Sequence, residues 1–246
     1  MIVLDRQGHV ATVTLSRPDA RNALPIAGWE QLGETARRLA ASDARVVLLR
    51  SADAVTFSAG ADIAEFAQLQ ADPALRPRFR EAMRAAIDGL AALPMPVIAV
   101  IEGSCFGAAV ALILAADIRV AGDGAQFAAT PAKLGLGYPK EDVARLIAQV
   151  GKGNAARMLF TGEILDAGDA LAMGLVELRW EEAEPLARAF ADRIAANAPG
   201  AIRLLKRTLA DSGAADLDAA FEDRFGEAEF AEGLAAFRER RRPEHS

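Results

Sequence analysis

Residues 97–101 constrain the fold more than any other part of the sequence. The segment reads VIAVI, is continuously apolar, and follows Pro94 and Pro96. Proline lacks a backbone N–H and disfavours helical backbone in the residue before it, so the two prolines exclude a helix here. A short, fully apolar strand is typical of a parallel sheet with helices on both faces. We therefore expect a buried strand in an α/β protein.

Other segments support this fold class. Short β-rich runs at residues 9–15 and 45–50 alternate with helical stretches at residues 24–41 and 79–93. Strands that alternate with helices indicate α/β layers, and we expect the strands to be buried on both faces.

The pattern changes to helices alone after about residue 184. These helices are predicted at residues 184–196, 200–210, 217–225 and 229–242. A discontinuous apolar stripe runs through the last two, at Phe221, Phe225, Phe230, Leu234 and Phe237. A short helical tail cannot cover such a stripe by itself, so we expect it to pack on the core or on a neighbouring subunit. The predicted division is residues 1–183 as the core and residues 184–246 as a C-terminal helical region.

Charge and composition exclude several classes of function. The net charge of -6 leaves no broad basic face for nucleic-acid phosphates, although four arginines cluster near the C-terminus. One cysteine, Cys105, cannot form an internal disulfide, and with two histidines it makes a poor zinc ligand set. No segment approaches the ~18 apolar residues of a membrane span. We expect a cytoplasmic protein without nucleic-acid or membrane partners.

Two glycine-containing turns are candidates for chemistry. FSAGADI, residues 57–63, leads into a predicted helix at residues 62–70, and EGSCFGAA, residues 102–109, follows the buried strand and opens an apolar helix. A helix N-terminus leaves backbone N–H groups unpaired, and these can hold negative charge developing on a carbonyl oxygen. The alternatives are structural: a tight loop at Gly60 with Asp62 as a helix cap, and close packing of the second helix on its strand.

The motifs together resemble the enoyl-CoA hydratase/isomerase (crotonase) family. LSRPDARNAL, FSAGADI, EGSCFGAA and FAATPAKLGLGYP follow one another in the order and approximate spacing of that family. The resemblance continues through FTGEILDAGDALAMGLV and AEFAEGLAAFRERRRPE, so it covers essentially the whole chain. It implies a spiral of repeated ββα units, an acyl-CoA thioester as substrate and no further cofactor. It also implies a homotrimer or a dimer of trimers formed through the C-terminal helices.

The resemblance also implies where catalysis takes place. Family members polarise the thioester carbonyl with two backbone N–H groups and stabilise an enolate, and by motif position these donors are Ala61 and Ala108. Each donor of this kind contributes about 3 kcal/mol. The family's hydratases add two glutamates, whose positions here are Ala111 and Pro131. Because neither residue transfers protons, we expect the usual hydration mechanism to be impaired.

Several residues are candidates for the missing proton chemistry. TPAKLGLGY, residues 130–138, resembles the corresponding segment of methylmalonyl-CoA decarboxylases in the same family, in which loss of CO2 itself generates the enolate. Tyr138 would then orient the carboxylate or supply a proton through water. The alternative is simple packing of its ring against a loop. Glu141 is the further catalytic candidate, although Glu141 and its neighbour Asp142 also suit the capping of a helix. Glu65 is another candidate if it faces the pocket.

By the same resemblance, the CoA moiety is expected to bind between the RNAL turn, residues 21–24, and the AGAD segment, residues 59–62. The candidate substrate and CoA-binding residues are Arg21, Ala23, Ala59, Ile63 and Gly107. We therefore predict an enzyme of the hydratase/isomerase family acting on an acyl-CoA. Decarboxylation of a small malonyl-type CoA is the mechanistic alternative, and acyl-CoA binding without turnover is the alternative from another class.

Overall fold

The computed structural model describes residues 1–245, and their strands form two sheets. The strands are β1 (Ile2–Gln7), β2 (Val10–Leu15), β3 (Val46–Ser51), β4 (Thr56–Ser58), β5 (Val97–Ile101), β6 (Ser104–Phe106), β7 (Ile118–Gly122), β8 (Gln126–Ala128), β9 (Leu165–Asp166) and β10 (Leu178–Trp180). The helices are α1 (Ile26–Ala40), α2 (Phe66–Ala71), α3 (Leu75–Ala91), α4 (Ala108–Ile113), α5 (Lys140–Thr161), α6 (Ala167–Ala172), α7 (Ala183–Ala195), α8 (Pro199–Ala210), α9 (Leu217–Asp223) and α10 (Ala228–Glu239).

The chain alternates between the two sheets. The larger sheet has the order β1-β2-β3-β5-β7-β10, and the smaller has the order β4-β6-β8-β9. Each of β3, β5 and β7 is followed by a short strand in the smaller sheet and then by one or more helices. Corresponding strands of successive units pair in parallel, as β3 with β5 in the larger sheet and β4 with β6 in the smaller. This repetition is the ββα spiral that the sequence predicted.

Both faces of the larger sheet are buried. Successive side chains of a strand point to opposite faces, so Val47 and Leu49 enter the main core while Val46 and Leu48 enter a second core on the other face. Helices α1 and α3 pack together against the main core. β5 is buried at every residue, as its sequence predicted.

Helix α7 covers the second face of the larger sheet. Its small side chains Ala183, Ala187 and Ala191 lie one helical turn apart and are fully buried. The first part of the predicted C-terminal region therefore packs on the core, whereas the division at residue 183 stays a prediction. Farther along, the Nζ of Lys206 in α8 donates to Met95 O (2.9 Å) and to Asp117 Oδ2 (2.8 Å), which attaches that helix to the segments that precede β5 and β7.

The aromatic stripe of the last helices stays exposed. Phe221, Phe225, Phe230, Leu234 and Phe237 are each at least 37% accessible to solvent. Edge-to-face contacts join the first three rings. Within one chain the stripe therefore lacks the cover that we expected from the core. Among residues 1–245, no helix is both long enough and apolar enough to cross a membrane.

The edge strand β1 is absent from the sequence prediction. It pairs with β2 in antiparallel fashion, and among its residues only Ile2 is buried. An edge strand with a mostly exposed, charged surface carries little of the apolar pattern by which strands are recognised.

Asn22 fixes the turn between β2 and α1. Its Nδ2 donates to Ser51 Oγ (2.8 Å), Thr56 O (3.1 Å) and Phe57 O (3.2 Å), and its Oδ1 accepts from Arg17 N (2.7 Å). The residue is buried and has a φ of 53°, a left-handed conformation that asparagine tolerates better than most residues. One side chain thus ties this turn to the end of β3 and to β4.

We expect Asn22→Ala to lower the free energy of unfolding by about 2–4 kcal/mol, because buried carbonyls lose their donor and alanine is strained at positive φ. Urea denaturation measures this change. Asn154→Ala is the control, because Asn154 makes one side-chain hydrogen bond, to Val150 O (3.0 Å) within α5. Its expected effect is less than about 1 kcal/mol. Equal destabilisation by the two substitutions would contradict the role given to Asn22.

Candidate functional site

A pocket of about 220 Å³ lies where the two glycine-containing turns meet α3 and the segment before α5. Its lining is mostly apolar, which favours strong electrostatic interactions with any polar group inside. The lining residues are Ala59, Ala61, Ile63, Phe66, Phe79, Met83, Gly107, Ala108, Thr130, Pro131, Leu134, Leu136, Gly137, Tyr138, Pro139 and Asp142.

The first turn presents the backbone N–H of Ala61 to this pocket. The preceding carbonyl, Gly60 O, accepts from Leu24 N (2.7 Å), and Asp62 N donates to Leu24 O (3.0 Å). These two bonds clamp the turn on either side of Ala61. Within residues 1–245, the Ala61 N–H itself has no hydrogen-bond acceptor.

The second turn presents the N–H of Ala108, the first residue of α4. Gly107 has a φ of 56°, and its own N–H donates to Ala128 O (2.8 Å) in the smaller sheet. A first-turn helical N–H has no partner inside its helix. In the part of the chain that the structure describes, no other acceptor reaches the Ala108 N–H either.

Gly60 brings the two turns together. Its φ is 87°, and a Cβ at this position would lie 2.6 Å from Ala108 N and 2.7 Å from Phe106 O. Only glycine allows so close an approach of the two backbones. Two unpaired N–H groups, of Ala61 and Ala108, therefore border one small apolar pocket. This arrangement suits an oxyanion, because preorganised amide dipoles stabilise charge that develops on one oxygen.

Tyr138 lines the pocket with its ring, while its hydroxyl contacts α4. The hydroxyl donates to Gly107 O (2.7 Å) and accepts from Ala111 N (3.2 Å). Burial raises the pKa of Tyr138, and the nearby carboxylate of Asp142 acts in the same direction. A phenol can donate one hydrogen bond, and here Gly107 O accepts it.

The structure separates the two adjacent acids at the start of α5. Asp142 is fully buried, lines the pocket, and pairs through Oδ1 with Arg84 (2.8 Å) and with Arg145 (3.7 Å). Burial raises the pKa of Asp142, and the two guanidinium groups oppose that rise. The catalytic candidate Glu141 does not line the pocket; its half-exposed side chain lies 3.7 Å from Lys140. Consecutive helical residues point about 100° apart, so only one of the two can face inward.

Two other candidate side chains have structural contacts. Glu65 Oε2 accepts from Ile26 N (2.7 Å) and so caps α1 instead of facing the pocket. Asp62 caps the 3-10 turn before α2, where its Oδ1 accepts from Ala64 N (3.0 Å). Cys105 is fully buried, and burial raises the pKa of its thiol, as expected for a packed residue.

The predicted CoA-binding residues fall into two groups. Ala59, Ile63 and Gly107 line the pocket. Arg21 and Ala23 lie on the adjoining turn, which is joined to the pocket wall because Ala59 N donates to Arg21 O (2.9 Å). The Arg21 residue is exposed, whereas Ala23 is buried.

Sequence reasoning missed the arginines that support the site. Arg17 Nη1 donates to Asp62 Oδ2 (2.6 Å) and to Ala23 O (2.9 Å), so it braces the first turn. Its place inside the LSRPDARNAL motif is the one signal that marks it. Arg84 is 58 residues from Asp142 along the chain, and no local pattern predicts that contact.

Known proteins match both the sequence and this architecture. The sequence pattern of the family described as Enoyl-CoA hydratase/isomerase matches residues 5–246. The short-chain-enoyl-CoA hydratase of Clostridium acetobutylicum is 31% identical, over 99% of this chain and 96% of its own. An enoyl-CoA hydratase/carnithine racemase structure from Magnetospirillum magneticum has a TM-score of 0.95 at 36% identity, and covers 100% of this chain and 95% of its own. The enoyl-CoA hydratase structure from Bacillus anthracis has a TM-score of 0.93 at 30% identity, over 99% and 98% of the two chains. The chain therefore belongs to the enoyl-CoA hydratase/isomerase, or crotonase, family.

Proposed function

We propose that the pocket binds the thioester carbonyl of an acyl-CoA and stabilises the enolate formed from it. One observation carries this proposal: the unpaired N–H groups of Ala61 and Ala108 border the same apolar pocket. The thioester oxygen accepts from both groups, and the negative charge that develops on it is stabilised by about 3 kcal/mol per donor. The family membership supports an acyl-CoA as the substrate.

Proton transfer, where the reaction needs it, falls to Asp142 in this proposal. The positions corresponding to the family's two glutamates are Ala111 and Pro131, neither of which can exchange a proton. Among the residues that line the pocket, Asp142 is the one with a carboxyl group. Its burial favours the neutral form, which a general acid needs. Hydration or isomerisation of an enoyl-CoA would proceed through this group.

Decarboxylation of a small malonyl-type CoA is the second candidate reaction. The C–C bond to the carboxylate breaks, CO2 leaves, and the electron pair becomes the enolate held by Ala61 and Ala108. Protonation of the enolate by solvent completes the reaction. The specific observation in its favour is that Asp142 Oδ1 is already paired with Arg84 (2.8 Å), so a reaction without a base suits the site better. A pocket of about 220 Å³ accommodates a short branched acyl group.

With the thioester carbonyl at Ala61 and Ala108, the rest of the acyl-CoA has proposed contacts as well. The pantetheine thioester enters past Ala59, Ile63 and Gly107, which line the pocket. Arg21 and Ala23 contribute to nucleotide binding from the adjoining turn. The exposed aromatic stripe of α9 and α10 is the proposed contact between subunits of a trimer or a dimer of trimers.

Ala108→Pro removes one proposed oxyanion donor by placing a proline at the first position of α4. Proline is tolerated at the first position of a helix, where the N–H has no helical partner. We expect kcat for the turnover reaction to fall by roughly 10²–10³-fold, the loss typical of one such donor. Steady-state kinetics with the acyl-CoA that the wild-type enzyme turns over measures this change in kcat.

Ala228→Pro is the matched control, because Ala228 begins α10, is exposed, and has an N–H without an acceptor among residues 1–245. Its kcat should stay within about twofold of the wild-type value, as for a surface change remote from the pocket. If Ala108→Pro is as active as this control, Ala108 is not an oxyanion donor.

Asp142→Asn and Glu141→Gln distinguish the two adjacent acids. If Asp142 transfers a proton, its replacement lowers hydration of crotonyl-CoA by roughly 10²–10⁴-fold, the usual contribution of a general acid or base. Glu141→Gln should leave the rate unchanged, since that carboxyl lies outside the pocket. The reverse result would assign the role to Glu141, as the sequence suggested. Release of CO2 from methylmalonyl-CoA should survive both substitutions.

Calorimetric titration with acetyl-CoA, followed by product assays, tests the function as a whole. Binding with hydration of crotonyl-CoA supports the hydratase reaction, and binding with CO2 release from methylmalonyl-CoA supports the decarboxylase. Binding without either product would favour an acyl-CoA-binding protein without turnover. Absence of binding at millimolar acetyl-CoA would refute the proposal, and the family would then describe the fold alone.

A further inference from the structure

The hydroxyl of Tyr138 is inserted into the first turn of α4. In a regular helix, Ala111 N would donate to Gly107 O, four residues earlier. Here Ala111 N donates instead to the Tyr138 hydroxyl (3.2 Å), which in turn donates to Gly107 O (2.7 Å). Val110 N also donates to Gly107 O (3.0 Å). The hydroxyl thus bridges two backbone groups that would otherwise bond to each other.

This bridge holds the peptide group that carries the proposed oxyanion donor. Gly107 C=O and Ala108 N–H belong to one planar peptide unit, so the direction of the carbonyl fixes the direction of the N–H. Gly107 has a φ of 56° and a ψ of -127°, a conformation that a glycine leaves easily. Hydrogen bonds to the carbonyl therefore limit rotation of the unit. They also polarise the amide and strengthen its N–H as a donor.

From this geometry we propose that Tyr138 is a positioning residue for the oxyanion donor of Ala108, and that it does not exchange a proton with substrate. The inference rests on the proposed function and deepens it. The single phenolic proton is engaged at Gly107 O, and burial keeps the phenol neutral. Donation to a substrate would break the 2.7 Å bond and free the very peptide that binds the thioester.

The carbonyl of the Gly60–Ala61 peptide is held in a matching way, by a backbone donor. Gly60 C=O and Ala61 N–H form one peptide unit, and Gly60 O accepts from Leu24 N (2.7 Å). The carbonyl of one proposed oxyanion peptide thus accepts from a neighbouring main chain, whereas the other accepts from Val110 N and from the Tyr138 hydroxyl. A single side-chain substitution can remove one of the two bonds to the second peptide.

Tyr138→Phe removes the bridge and keeps the ring that lines the pocket. The primary readout is the infrared carbonyl stretch of bound acetyl-CoA, labelled with carbon-13 at the thioester, because polarisation by the oxyanion donors lowers that frequency. We expect the shift to shrink in Tyr138→Phe while acetyl-CoA affinity changes by less than about threefold. For whichever acyl-CoA the enzyme turns over, kcat should fall by roughly 10–100-fold with KM nearly constant. A loss of this size is expected when the oxyanion donor is displaced from its best position.

Thr35→Val is the matched control, because it also removes a hydroxyl that donates to a helical carbonyl, Gln31 O (2.8 Å) in α1, away from the pocket. It should keep the full carbonyl shift. An undiminished shift in Tyr138→Phe would overturn the proposal. If wild-type protein binds no acetyl-CoA or shows no shift, the proposed function fails, and the inference fails with it.

A second experiment separates positioning from acid catalysis. Tyr138 is the chain's only tyrosine, so residue-wide incorporation of 3-fluorotyrosine alters this position alone. The fluorinated phenol keeps the hydroxyl bridge but is more acidic. Positioning predicts a wild-type carbonyl shift and an unchanged pH profile of kcat. A profile displaced to lower pH would show that the phenol exchanges a proton, which contradicts our inference. This test stands even if Tyr138→Phe fails to fold.

Discussion

The proposed site depends on two peptide groups, Gly60–Ala61 and Gly107–Ala108, whose unpaired N–H groups border one pocket. Leaving a partly buried amide without an acceptor costs free energy, of order 1–3 kcal/mol each, so the surrounding structure must hold both groups in place. The carbonyl ends of these same units supply that restraint, since Gly60 O accepts from Leu24 N and Gly107 O accepts from the Tyr138 hydroxyl. The proposed donors are therefore held in place by contacts within the protein itself.

The ββα repeat brings these two units together. Because β4 and β6 are parallel neighbours in the smaller sheet, the turns that follow them emerge at the same edge. Gly60 then closes the distance, since a side chain at that position would collide with Ala108 N. The larger sheet, buried on both faces, provides the rigid support from which the turns project. Asn22 links this edge to the turn before α1.

Most of this arrangement could be predicted from the sequence. The parts that could not be predicted depend on contacts between distant residues and on the rotation of a helix. The buried strand at residues 97–101 and the two glycine-containing turns depend on local patterns of apolar residues, proline and glycine, so they could be predicted. Which acid faces inward depends on the rotation of α5, and a shift of one residue exchanges Glu141 for Asp142. In the structure Asp142 lines the pocket and Glu141 does not, so the catalytic role of Glu141 stays a prediction. Contacts of Arg84 with Asp142 join distant parts of the chain and have no local signature.

The oxyanion donors and the proton-handling groups are independent parts of such a site. Any residue except proline supplies a backbone N–H, so the proposed donors Ala61 and Ala108 do not depend on which side chains the pocket carries. Proton transfer instead needs particular side chains, and the positions that the family resemblance assigns to the two glutamates are Ala111 and Pro131 in this sequence. A site that keeps its oxyanion geometry still lowers the energy of any enolate, however it is generated. Which reaction follows then depends on the few polar groups that line the pocket. Asp142, which is paired with two arginines, supplies the carboxyl group among them.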